Sequence, residues 1–321
     1  MKRITVLLGL IAFFVIVGIF WWQNGLLPVN VNNRTTKVFI VKSGEGVREI
    51  ANNLKNDGLI RDPIVFFLLV RQQGLDKQIE AGDFRISPSM NAQEVANTLT
   101  HGILDIWVTV PEGLRAEEIA AILKSKIPSF NDSWTAKLVA NEGYLFPDTY
   151  LIPKDATVDL VIKLMRDNFD KKYQSVASKK TTDLTKAQTV ILASIIEREA
   201  KYPQDRPLVA SVFVNRLNQG MPLGSDPTVQ YALGYQKSTN TWWKQNLTVD
   251  DLAINSPYNT RVNTGLPPGP ISNPGLSAIE AALMPANTNY LYFYADSKGH
   301  LHFATTLQGH EANIQKYGGG S

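Results

Sequence analysis

The sequence predicts an α+β fold, and three features of its 321 residues point there. An uninterrupted apolar run opens the chain, a strand, helix, helix, strand order follows, and a long helix-rich region closes on two short strands around a glycine turn. With 44% hydrophobic residues the chain can build real cores, and its length suits roughly two domains of about 150 residues each. The formal net charge is only +3 and Lys and Arg are scattered, which argues against a nucleic-acid partner. Cysteine is absent, which excludes disulfides, thiolate nucleophiles and Cys-ligated zinc.

The first element is "ITVLLGLIAFFVIVGIFWW", Ile4 to Trp22, without a charge and close to the ~20 residues a helix needs to cross a bilayer. Lys2 and Arg3 precede it and Trp21 and Trp22 end it, so the expectation is an uncleaved single-pass anchor over 1–27, N-terminus cytoplasmic and the rest outside. A cleaved signal peptide is disfavoured because the run exceeds an h-region of about 7 to 15 residues and no small-x-small site follows. Residues 28–36 read as a polar linker.

A module is expected over 37–104. "VFIV" reads as a strand, "KSGEG" as a turn, "VREIANNLKNDG" as a helix closed by Gly58, and a second helix starts after Asp62-Pro63. "AGDFRIS" alternates like a strand and "NAQEVANTLTHG" is again a capped helix. The phrase I/V-A-x-x-L recurs at Ile50, Val95 and Ile119; it fits either a weak internal duplication or ordinary core spacing on amphipathic helices.

From about Glu142 the composition changes. "NEGYLFPDTYLIP", "GMPLGSDPTVQYALG", "NSPYNTRVNTGLPPGPISNPG" and "NTNYLYFYADSKGHLHFATT" are dense in Gly, Pro, Asn and aromatic residues. Such stretches build shaped loops, and aromatic faces beside amides are what sugar rings bind, so a carbohydrate cleft is favoured over pure loop-building. "LYFYA" and "LHFAT" flank "DSKGH" as a hairpin with Gly299 in the turn, "TLQGHEANIQKY" reads as a last helix, and "GGGS" (318–321) as a flexible tail. His300 and His302 alternate on one strand face; they are read as exposed strand histidines in preference to a metal site, and neither metal nor cofactor is expected.

The phrases "EGYLFPDTY", "ASIIEREA", "ASVFVNRL", "SDPTVQYALG", "SPYNT" with "TGLPPGPISNPG", and "LYFYADSKGHLHF" resemble, in order and spacing, the endolytic murein transglycosylase or YceG-like family. The resemblance covers about Glu142 to Tyr317 in wording and the N-terminal part in arrangement. It implies a membrane anchor, a LysM-like α/β module at 37–104 and a catalytic domain at 105–317 with one essential glutamate. It further implies an outward-facing lyase that cuts peptidoglycan strands internally between N-acetylmuramic acid and N-acetylglucosamine. The muramic C6 hydroxyl attacks, leaving 1,6-anhydro ends, in strand release or length control beside penicillin-binding synthases.

Within "ASIIEREA", a rotation of about 100° per residue places Glu197 with Val190, Ala193, Ser194 and Lys201, and Glu199 in the arc of Ile191, Leu192, Ile195 and Ile196. Desolvation there would raise the Glu199 pKa toward that of a general acid, and the family motif also favours the second glutamate. Glu199 is therefore the expected catalytic residue, with Glu197 as the alternative and otherwise an orienting group. Glu142 and Asp226 are the available second carboxylates. Asp226, Thr228, Gln230, Tyr258, Asn259 and Thr260 are expected to contact glycan, although Asp226 and Asn259 also suit turn-building. A water-using muramidase and a noncatalytic peptidoglycan-binding scaffold are the rival functions.

Overall fold

The computed structural model describes residues 2–42, 44–100 and 105–318, and the side chains of 2–8 and 11–12 lie outside that description. It is mixed α and β, with small two-stranded sheets and many helices, in two compact units: 1–106 with 153–155, and 107–152 with 156–321. The expected boundary after Leu104 and the tail residues 319–321 fall outside the described residues.

The first unit contains α1 (Lys2–Leu26), β1 (Lys37–Val41), α2 (Val47–Asn56), α3 (Pro63–Gln72), β2 (Gly82–Ile86) and α4 (Ala92–Thr100). β1 and β2 pair antiparallel with Phe39 opposite Phe84, and the period-2 alternation buries Phe39, Val41, Phe84 and Ile86 on one face. Val38 and Ile40 stay exposed on the other. Ile50, Ala51 and Leu54 of α2, and Val95, Ala96 and Leu99 of α4, fill the core beneath that sheet, so here the recurring I/V-A-x-x-L phrase is core spacing. Asp62 caps α3 by accepting from the backbone N–H of Ile64 and Val65 at 2.8 and 3.0 Å, with Pro63 at the first helical position.

Among the described residues no helix is long and apolar enough to cross a membrane, and part of the Ile4 to Trp22 run lies outside the residues whose side chains are described. The C-terminal end of α1 is docked on this unit. Trp21 Nε1 donates to Asp62 at 2.9 Å, and Gly25 sits so close to Val65 that a Cβ there would approach its side chain to 2.6 Å. The stretch 28–36, expected as a linker, is tied down as well. Arg61 donates to the Pro28 carbonyl and to Asn24, and the Ser87 hydroxyl donates to the Asn33 carbonyl. Backbone carbonyls and short amide side chains let a polar stretch find fixed partners, which composition does not reveal.

The second unit contains β3 (Asp105–Thr109, entering from the first), α5 (Ala116–Lys126), α6 (Ser133–Val139), β4 (Thr149–Pro153), α7 (Val158–Ala177), α8 (Lys186–Glu199), α9 (Arg206–Asn218) and α10 (Asp226–Leu233). α11 (Val249–Leu252), α12 (Leu276–Leu283), β5 (Tyr292–Ala295), β6 (Leu301–Ala304) and α13 (Leu307–Tyr317) complete it. α8 is its central helix. Thr185 and Gln188 form its N-terminal capping box, and Thr189, Val190, Leu192 and Ala193 to Ile196 are buried, so apolar contact surrounds it. The loop before α12 is pinned to it: the Ile271 N–H donates to Ser194 Oγ at 3.0 Å and the Ser272 hydroxyl to the Ser194 carbonyl at 3.0 Å.

β5 and β6 form the expected hairpin, Tyr292 opposite Ala304, with Gly299 at φ +85° in the turn where a side chain would be strained. His302 reaches Asp296 at 3.2 Å and stacks on Tyr317 with ring centroids 3.5 Å apart, while His300 stacks on Tyr202.

Candidate active site

α8 stops at Glu199 because Ala200 turns extended at φ −100°, ψ 103°, and its last turn carries both glutamates. Their surroundings differ in partners more than in burial. Glu197 accepts from Arg206 Nη2 at 2.6 Å through Oε1 and from the Gly275 N–H at 3.0 Å through Oε2. Both members of that ion pair are nearly inaccessible, at 7% and 5% side-chain exposure, so Glu197 ties α8 to α9 and to the start of α12. Burial pushes its carboxyl up, opposed by the Arg206 charge.

Glu199 instead lines a cleft of about 460 Å³ with Arg216 of α9, Gly224 and Asp226 before and at the start of α10, Arg261, Tyr292 to Ala295 of β5, and Leu307 and His310 of α13. Its Oε1 accepts from the Ser225 hydroxyl at 2.6 Å. Burial pushes its carboxyl up to about 7, the Ser225 hydrogen bond holds it down, Asp226 raises it, and Arg261 and Arg216 lower it. A carboxyl titrating there can hold a proton near neutral pH and return as a base after giving it up.

The helical-arc argument does not separate the two glutamates as expected. Val190, Ala193 and Ser194, on the Glu197 side, are as buried as Leu192, Ile195 and Ile196, and Ile191 of the Glu199 arc is only half-buried, because α8 is packed on both of these faces between Thr189 and Ile196. What separates them is the cleft on one side and the Arg206 pair on the other. Arg198, between them, lies over the Trp243 ring at 3.8 Å, away from the cleft lining, and burial lowers its pKa.

Of the other candidates, Asp226 lines the cleft and is held by Arg261, whose Nε donates to it at 2.7 Å. Thr228 and Thr260 are buried and do not reach it as glycan contacts. The Thr260 hydroxyl accepts from the Ser225 N–H at 3.1 Å, the Thr228 hydroxyl donates to the Ser225 carbonyl at 2.6 Å, and the two hydroxyls lie 2.9 Å apart. They are the cradle of Ser225. Asn259 is also buried, donating to the carbonyls of Leu252 and Ile254 and accepting from the Arg261 N–H, which fixes the loop that carries Arg261. Gln230 donates to the Lys244 carbonyl, and Tyr258 packs on Tyr231 with centroids 4.7 Å apart; neither is in the cleft lining.

Glu142 is buried elsewhere in this unit. It accepts from the Ala116 N–H through both oxygens, at 3.1 and 3.0 Å, and from Asn273 Nδ2 at 2.7 Å. Burial pushes it up to about 8. Asn273 also accepts from the N–H groups of Gly143 and Leu145, so the two side chains knit three loops together.

Ser225, Arg216, Arg261, Tyr292 and His310 were not singled out by sequence reasoning. Ser225 and Arg261 each adjoin a candidate, at the edges of "SDPT" and "SPYNT", and the aromatic density of "LYFYA" was the signal for Tyr292. His310 stacks on Tyr292 with centroids 5.5 Å apart, its pKa lowered by burial and by Arg216. Among the described residues no group of three or more metal-ligating side chains gathers.

Comparison with known proteins shows the family. The model of the YceG-like family matches residues 39–316. The chain is 35% identical over 337 residues to the endolytic murein transglycosylase of Bacillus subtilis (strain 168), spanning 94% of this chain and 91% of that protein. It is 29% identical over 348 residues to the endolytic murein transglycosylase of Streptococcus pneumoniae serotype 2 (strain D39), spanning 94% of this chain and 62% of that longer one. The crystal structure of a YceG-like protein from Listeria monocytogenes matches with a TM-score of 0.56 at 31% identity, covering 87% of this chain and 99% of that one.

Proposed function

The chain belongs to the YceG-like family, and from that premise we propose that it is an endolytic lytic transglycosylase of peptidoglycan. The observation that carries the reading is the Glu199 carboxyl, raised to about 7 at the edge of a cleft with aromatic and cationic walls. Glu199 protonates the glycosidic oxygen between N-acetylmuramic acid and N-acetylglucosamine as the bond from C1 breaks. Its carboxylate then takes the proton from the muramic C6 hydroxyl as O6 bonds to C1, which closes the 1,6-anhydro ring and restores the acid without consuming water. Glu142, engaged by Ala116 and Asn273, is outside the cleft lining and is no partner in this step.

Asp226 supports one second reading. It shares the cleft with Glu199, so a water-using hydrolase with Asp226 as the second carboxylate is the alternative. Mass spectrometry of digested strands separates the two: anhydro ends are expected, reducing ends identify the hydrolase, and intact strands identify a noncatalytic scaffold.

Around this centre we assign the N-terminal helix to a membrane anchor, on the strength of the Ile4 to Trp22 run behind Lys2 and Arg3. The module of β1, α2, α3 and β2 is read as LysM-like and glycan-binding, from its strand, helix, helix, strand order. The catalytic domain then works outside the cytoplasm, beside penicillin-binding synthases, in release or length control of new strands.

A further inference from the structure

Ser225 stands at the N-cap of α10, where a serine hydroxyl normally accepts from the second or third helical N–H, yet here it makes no cap. The hydroxyl is turned to donate to Glu199 Oε1 at 2.6 Å. Its backbone is gripped on both sides, the N–H by the Thr260 hydroxyl at 3.1 Å and the carbonyl by the Thr228 hydroxyl at 2.6 Å, and the residue is 1% exposed. The adjoining Gly224 N–H donates to the Thr260 carbonyl at 2.9 Å, so the turn is fixed on both strands of the loop pair. A helix cap has been forgone and two buried threonines committed to hold one hydroxyl against one carboxyl oxygen.

We propose that Ser225 is the positioning residue of Glu199: by occupying Oε1 it leaves Oε2 as the oxygen that carries the transferable proton, and it fixes that oxygen's direction at the cleft. The inference rests on the assignment of Glu199 as general acid. A short O–H···O bond to the ionised form also stabilises the carboxylate, which counters burial and keeps the acid strong enough to give up its proton. The other groups facing this carboxyl are Asp226 at the start of α10, Arg261 on the following loop and Arg216 on α9, with Tyr292 of β5 and His310 of α13 on the cleft wall. Ser225 is the one among these with a direct hydrogen bond to Glu199 among the described residues.

The test is the pH profile of strand cleavage by the full chain and its Ser225→Ala variant, with Glu199→Gln and the double variant alongside. Ser225→Ala is expected to lower kcat about tenfold, to move the alkaline limb up by about one pH unit, and to leave KM and the melting temperature nearly unchanged. In the Glu199→Gln background the same change should have no further effect on the rate. A Ser225→Ala enzyme with the parent rate and profile overturns the proposal, as does one that loses rate with an unmoved alkaline limb. If Glu199→Gln itself keeps full activity, the acid assignment falls first; if it is inactive while Ser225→Ala behaves as the parent, only the positioning role is lost.

Discussion

At the scale of single residues, three carboxyls of one unit, all pushed up by burial, are separated by what touches them. Glu199 has the cleft, so Glu199→Gln should fold and bind strands yet yield essentially no anhydro ends, a loss of about 10² to 10⁴ in rate. The parent rate should fall as pH rises through about 7, since the acid form is lost there. A flat profile from pH 5 to 9 would remove Glu199 from the reaction. Glu197 has Arg206, so Glu197→Gln should retain the chemistry and lose roughly 1.5–3 kcal/mol of stability, read by thermal melting, because Arg206 keeps an acceptor but not a charge. Burial pushes the Glu142 carboxyl up to about 8 from its ordinary 4.5, so its contribution to stability is full below about 4.5 and is lost as pH rises through about 8. Glu142→Gln cannot ionise, and its stability should overtake that of the parent as pH climbs from 5 to 9, by an amount on the order of a few kcal/mol, read from melting curves at each pH. Parallel melting curves for the two would contradict the burial of an ionisable group there.

At the scale of elements, the first unit presents a sheet with one face filled by α2, α3 and α4 and the other carrying exposed Val38 and Ile40. On the proposed glycan-binding role, replacing 37–104 by a flexible linker should weaken cutting without altering bond chemistry: turnover on insoluble sacculi drops while the released fragments keep the same end groups. If residues from Asp105 onward bind and cut strands as well as the full chain, the module is only a spacer. α8 shows the opposite use of an element. Its middle, Thr189 to Ile196, is core, and the working carboxyl rides directly beyond that firmly packed segment.

For the whole molecule the prediction is topological. On the proposed anchor, Lys2 and Arg3 ahead of the apolar run predict an N-terminus inside, and a reporter joined after Tyr317 should be active only outside the cytoplasm. Cytoplasmic activity of that fusion would put the protein out of reach of peptidoglycan and would defeat the localisation together with the substrate.

The α+β class, the strand, helix, helix, strand order, the hairpin at Gly299 and the family were all legible along the chain. These are local: periods of 2 and 3.6, caps such as Asp62 and Thr185, and contiguous phrases are written in neighbouring residues. What each polar residue faces became visible in the folded chain alone. Thr228, Asn259 and Thr260 looked like sugar contacts because they are polar and lie in loops, yet all three are buried and spend their hydrogen bonds on the backbone and on one another. Ser225, which no local pattern singled out, stands at the N-cap of α10 and turns its hydroxyl to Glu199. Glu197 and Glu199, two residues apart on one helix, part company because Arg206 and Gly275 come from other elements to meet the first, while α9, α10, β5 and α13 leave a cleft beside the second. Burial and partner are properties of residues brought together from far along the chain, and no local pattern encodes which of two equivalent carboxyls will be left with an open side.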